Sequence, residues 1–158
     1  MFKKLLNKKL LKNQKGLTLV ELLAVFVILA IIAAIAIPAI GNIIENSRYK
    51  AAKADAINML NAASLYYMDN PKGENTSGGI GDTTKTITIK QLKDAEYLES
   101  AGKLEGNTEI TVSAGNPHKI TGTVTYSGTK IVKFSDATIT AINKDSQKGS
   151  QKELKTIE

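Results

Sequence analysis

Sixteen consecutive apolar residues, Leu22 to Ile37, constrain this chain more than anything else in it. Leu17, Leu19 and Val20 extend the run backwards, Ala39 and Ile40 extend it forwards, and from Gly41 the chain turns polar. A stretch of this length reads as a bilayer-spanning helix. Eleven of the residues from Leu22 to Ile37 are Leu, Ile, Val or Phe. At roughly −0.3 to −0.6 kcal/mol each, they favour insertion by about 3 to 7 kcal/mol. Glu21 is the anomaly, because a carboxylate costs up to roughly 2.5–3.5 kcal/mol at a membrane centre and less near an end. By position alone Glu21 marks the interface, with the helix starting at Leu22. A second reading is a secretory signal cut after Ala34-Ile35-Ala36, although the apolar run continues past that point and Pro38 follows it.

Charge is distributed unevenly about this run. The formal charge of +6 suggests an acidic partner until it is located. Lys3, Lys4, Lys8, Lys9, Lys12 and Lys15 lie in residues 1–16, which contain no acid; removing those six leaves fifteen basic against fifteen acidic residues. A basic nucleic-acid-binding face on the remainder is therefore not expected. The lysines instead set orientation, staying cytoplasmic and placing the C-terminal part outside. A surface near zero net charge also lacks the repulsion that keeps copies apart.

Lys15-Gly16-Leu17-Thr18-Leu19-Val20-Glu21-Leu22-Leu23 resembles the processing motif of type IV prepilins and pseudopilins. In that family a basic leader ends in Gly, a membrane peptidase cuts after it, and a glutamate stands fifth in the mature chain ahead of a long apolar helix. The resemblance covers roughly residues 12–40. It implies cleavage between Gly16 and Leu17, N-methylation of Leu17, and Glu21 as the assembly residue that neutralises a neighbouring subunit's N-terminal amine and sets axial register. The family more often has Phe where this chain has Leu17. The implied partners are further copies in a helical filament, a prepilin peptidase and N-methyltransferase, a pilus assembly platform with its ATPase, and the membrane before assembly. The implied locations are the cytoplasmic membrane before assembly and the cell surface after it. The physical logic agrees: cleavage exposes a new ammonium on Leu17, an unpaired buried charge is severely unfavourable, and Glu21 is the only acid between residues 17 and 44.

Pro38 cannot donate to the carbonyl four residues back, and with Gly41 it is expected to kink or locally unwind the helix. Beyond it, Ile44, Ala52, Ala56, Met59, Leu60, Ala63 and Tyr67 recur at helical spacing. Asn70-Pro71 closes the segment. A helix from Leu17 to Asp69 would be roughly 80 Å long. Arg48, Lys50, Lys53 and Asp55 are expected on its wet face, and Tyr66 and Tyr67 to pack.

The expected organisation is a leader at 1–16, a transmembrane or filament-core helix at 17–41, its amphipathic continuation at 42–70, an α+β head at 71–142 and a loose polar tail at 143–158. Residues 71–84 read as a loop. Its Gly78-Gly79-Ile80-Gly81 lacks the flanks of a phosphate-binding loop, and Asn75-Thr76-Ser77 matches a glycosylation sequon. Alternating segments at 86–89, 109–113, 119–126, 130–134 and 137–142 suggest strands of a small antiparallel sheet, with a brief helix at 91–98. His118, the only histidine, sits beside a turn and reads as a solvated residue. No cysteine is present, no nucleophile motif or carboxylate pair stands out, and no metal, cofactor or catalytic residue is expected. The leading reading is a structural pilus subunit. The alternatives are a pseudopilin or minor pilin of a type II secretion or DNA-uptake machine, a monomeric membrane-anchored binding module, and an exported domain.

Overall fold

The computed structural model describes residues 2–71, 85–151 and 153–158, with side chains from Thr18 onward. The glycine stretch at 78–81 and the sequon at Asn75 lie outside the described residues. Two compact units divide the chain, Met1–Gly41 and Asn42–Glu158.

In the first unit the backbone is one helix. It belongs to α1 (Phe2–Asp69), which includes Pro38 and Gly41 without interruption. The helix thus runs through Pro38 without a break in its assignment. Leu, Ala and Ile dominate this stretch. From Thr18 to Gly41 no side chain is buried, and the large apolar residues Leu19 to Ile40 are more than half exposed.

The second unit has its own core. The part of α1 from Asn42 to Asp69 presents Tyr49, Ala52, Ala56, Met59, Leu60, Ala63 and Tyr66 inward, each at most 1% exposed. The alanines let the helix backbone approach the sheet closely. Five strands follow in spatial order: β1 (Thr86–Thr88), β2 (Thr111–Ser113), β3 (Ile120–Ser127), β4 (Lys130–Ala137) and β5 (Leu154–Ile157). The first three pairings are antiparallel and the last is parallel. Alternation turns Ile87, Val112, Val124, Val132 and Phe134 toward the helix, all 0–1% exposed.

Three local features depart from the sequence expectations. α2 (Ile89–Asp94) starts earlier than 91 because Thr88 and Gln91 form a capping box. Of the expected strand at 137–142 only Ala137 is one, ending β4: Thr138 caps α3 (Ile139–Lys144), its hydroxyl accepting from the Ala141 amide at 3.2 Å, and Ile142 fills the core. Residues 143–158 are not a loose tail, since β5 pairs with β4 and buries Lys155 and Ile157. A parallel strand needs a crossover, and α3 lies in the connection from β4 to β5. The sheet is accordingly mixed rather than purely antiparallel, within the expected α+β class.

Two glycines permit close approaches. Gly122 has φ +149° at a register shift in β3, and a Cβ there would lie 2.7 Å from Ile110 Cγ1. A Cβ at Gly149 would lie 2.7 Å from Tyr49 Cβ, so the segment before β5 passes against the helix without a side chain.

Candidate functional site

The residues singled out by sequence lie along the first unit. Gly16 and Leu17 are helical in backbone, with side chains outside those described. Leu17 and Glu21 are four residues apart, which sets them one turn apart on the same helix face. Glu21 is exposed. Around it, Leu22, Val25, Phe26 and Leu29 are 51–59% exposed. Pro38 and Gly41 are exposed as well, and a Cβ on Gly41 would meet nothing within 4 Å. Thr18–Asp69 contains a helical segment long and apolar enough to cross a membrane, unburied by the rest of the chain. A surface of this kind is stable only against lipid or other protein.

The second unit carries a polar cluster that sequence reading missed. Tyr49 donates to Asp145 Oδ2 at 2.7 Å, and Lys53 Nζ reaches the same oxygen at 3.0 Å and the Asp145 carbonyl at 2.7 Å. Gln147 Nε2 donates to Oδ1 at 2.8 Å. Burial alone would raise the Asp145 pKa, but the bonds from Tyr49, Lys53 and Gln147 outweigh it and hold the carboxyl below its usual range. Tyr49 moves the other way: burial, then its bond to Asp145, push its hydroxyl above the ordinary tyrosine range. Lys155 is 1% exposed, its ammonium 5.6 Å from the Tyr49 ring centroid and 5.4 Å from that of Tyr126. Burial, then Lys130 nearby, depress its pKa. Lys130 bridges Glu45 at 2.6 Å and the Ser150 carbonyl at 2.8 Å. Together these contacts tie residues 145–155 to the helix.

Lys53 is consequently drawn off the wet face assigned to it, while Asp55 stays at the surface. Lys53 is held by Asp145, and Asp55 accepts the Lys103 amide at 2.7 Å. The one sequence signal for this cluster was the alternation Leu154-Lys155-Thr156-Ile157, masked by a lysine at an inward position. His118 lies in the loop before β3 as expected, but it is half-buried rather than solvated. Its ring stacks on Tyr67 at 5.3 Å, and Nδ1 donates to the Ser113 carbonyl at 3.0 Å. Tyr66 and Tyr67 pack, edge-on to each other at 5.7 Å. Among the described residues, no group of three or more His, Cys, Asp or Glu is arranged to hold a metal ion.

Residues 11–37 match the prokaryotic N-terminal methylation motif. A type IV major pilin of Neisseria gonorrhoeae is 34% identical over 85 residues, covering 52% of this chain and 52% of its own length. A fimbrial protein of Neisseria meningitidis serogroup B is 35% identical over 52% of this chain and 49% of itself. Core protein G of the type II secretion system of Aeromonas hydrophila is 32% identical over 56% of this chain and 64% of itself. No solved structure matches. The chain thus spans about half the length of the curated pilins it matches. In its methylation motif and its exposed apolar helix followed by an α+β head, the chain is similar to type IV pilins and to a type II secretion core protein.

Proposed function

We propose that this chain is a structural subunit of a type IV pilus-like filament. It is made as a membrane-inserted precursor with residues 1–16 inside and the head outside. It is cleaved between Gly16 and Leu17, methylated on Leu17, and polymerised through its N-terminal helix. The observation that carries this reading is the exposed apolar helix, most of which the methylation motif at residues 11–37 covers. Removal of the lysines frees the helix to leave the bilayer. Burial among neighbouring helices then replaces lipid around the same side chains.

Glu21 is the register residue in this scheme, neutralising the Leu17 ammonium of an adjacent copy. Pro38 and Gly41 form a flexible point between bilayer and filament packing. The homotypic filament, the prepilin peptidase and the assembly platform with its ATPase are the partners the scheme requires. Intact mass and N-terminal sequencing of protein from membranes containing a prepilin peptidase test it. A chain starting at Leu17 and heavier by one methyl group is expected; one that keeps Met1, or begins near Ile37, sinks the proposal. Glu21→Gln is expected to insert and be cleaved normally yet fail to form filaments.

The likeness to the secretion protein of Aeromonas hydrophila, with 64% of its length covered, supports a second reading as a pseudopilin. Deletion separates the two: loss of surface filaments favours the pilus, and loss of protein export with filaments intact favours the pseudopilus.

A further inference from the structure

The head is oppositely charged on its two sides. Residues 94–109, from the end of α2 toward β2, hold five acids, Asp94, Glu96, Glu99, Glu105 and Glu109, against one base, Lys103. All five acids are exposed, and among the described residues only Glu105 is in an ion pair, with Lys93 of α2. The segment 143–152 and the stretch of α1 beside it reverse the balance. Lys50, Lys53, Lys144, Lys148 and Lys152 stand there against one acid, Asp145, which Lys53 already engages. Lys50 and Lys148 are exposed, make no ion pair among the described residues, and line one groove with Ser146 and Gln147. The charges bordering each side reduce the contrast without removing it. With Lys90 and Lys93 of α2 the first side has five acids and three bases, a net of −2; with Glu153 and Glu158, which bracket β5, the second has five bases and three acids, a net of +2.

The two sides flank α1 from opposite directions. Lys53 Nζ reaches Asp145 Oδ2 at 3.0 Å, and Asp55 accepts the Lys103 amide at 2.7 Å. Two residues of helix turn through about 200°, so the acidic and basic segments are held on opposite faces of it. The sheet order agrees, because the acidic segment leads into β2 and the basic one into β5, the edge strand beyond β4. Like charges set against each other are unfavourable, so neither side suits its own image in a two-fold dimer. An acidic side against a basic side is a contact between different surfaces, and it leaves each copy one side free for the next. Contacts of that kind close into rings or run on as helical assemblies. We propose that heads bind one another in this way, the side carrying Glu99 and Glu109 of one copy against the side carrying Lys50 and Lys148 of the next. The occupant of each side is a second copy of this chain, which supplies the complementary charge itself and sums to zero over residues 17–158. The inference rests on the filament reading above and adds to it a contact between heads that runs in one direction only.

The readout is filament yield from the full chain in cells with a prepilin peptidase and assembly machinery. Lys50→Glu with Lys148→Glu should lower it by about tenfold or more, and Glu99→Lys with Glu109→Lys by as much. All four substitutions in one chain exchange the two sides and keep them complementary, so yield should return to within about twofold of the parent. These side chains are exposed, and the thermal midpoint of the head should stay unchanged throughout. Reversed pairs that assemble like the parent, or a fourfold variant of unchanged midpoint that assembles no better than the pairs, overturn the head contact and leave the filament reading standing. Cysteines decide the case if the fourfold variant melts early. The chain has none of its own, so filaments from mixed Glu99→Cys and Lys148→Cys chains should give disulfide dimers joining one kind to the other under mild oxidation. Dimers of like kind, or none in filaments of normal yield, overturn the contact. A parent that is cut after Gly16 yet forms no filament overturns the head contact and the filament reading together.

Discussion

Along α1 the relation between side chain and solvent reverses. From Leu19 to Ile44 nearly every large side chain is apolar and exposed, whereas from Tyr49 to Tyr66 the apolar residues on one face are almost wholly buried. Secondary structure is the same in both regions, so helix formation does not distinguish them. The head's helix has Ala52, Ala56 and Ala63 at its sheet-facing positions and polar residues such as Asn58 and Asn61 outside. The N-terminal stretch is apolar all round, so no rotation of it can hide its surface within one chain. One region is finished by its own fold, and the other requires lipid or further copies.

The comparison can be broken by substitutions that should act on one region alone. Gly16→Val carries the largest expected effect: processing and filaments are lost, while the thermal midpoint of the head stays unchanged within error. A change in head stability would show that the two regions are not independent. Phe134→Ala empties a fully buried site on β4 and should cost about 3–5 kcal/mol in denaturant unfolding, with membrane insertion intact. Asp145→Ala leaves Tyr49 and Lys53 without their shared acceptor and should cost about 1–3 kcal/mol. Faster hydrogen exchange in residues 154–157 than in β3 is expected to accompany it; uniform exchange would mean that the cluster does not hold β5.

Acid should act in the same direction as Asp145→Ala. The folded Asp145 carboxyl titrates below its ordinary value near 3.9. Its stabilisation is present above that value and is lost as pH falls through the folded pKa. Unfolding midpoints measured from pH 6 to pH 2 should drop less in Asp145→Asn than in the parent. The smallest effect is expected of Ile28→Val in the exposed span. A core Ile→Val typically costs about 0.5–1.5 kcal/mol, but here the head's stability should not move.

Legibility differed between the regions for physical reasons. The span, the methylation motif and the face from Ala52 to Ala63 follow from local composition and periodicity, so the sequence displays them directly. Strands β1 to β4 were visible as alternating Thr, Val and Ile, with ends displaced by a few residues. Three features were hidden. Ala137-Thr138-Ile139-Thr140-Ala141-Ile142 alternates like a strand, yet the Thr138 cap and the burial of Ile142 make it helical. β5 was obscured by Lys155, whose inward position becomes tolerable only between the rings of Tyr49 and Tyr126. The tie from Lys53 to Asp145 spans 92 residues, a separation at which no local pattern carries information.

The sequence by itself determined that residues 17–40 form an apolar helix behind a basic segment, because hydropathy, charge and the Gly16 to Glu21 offset are properties of neighbouring residues. Only the tertiary structure decided that residues 145–158 belong to the head and that β5 runs parallel to β4. It also decided that Lys50 and Lys148 share one groove. Those outcomes depend on partners brought together from opposite ends of the head. Their energies exist only once the chain has closed on itself.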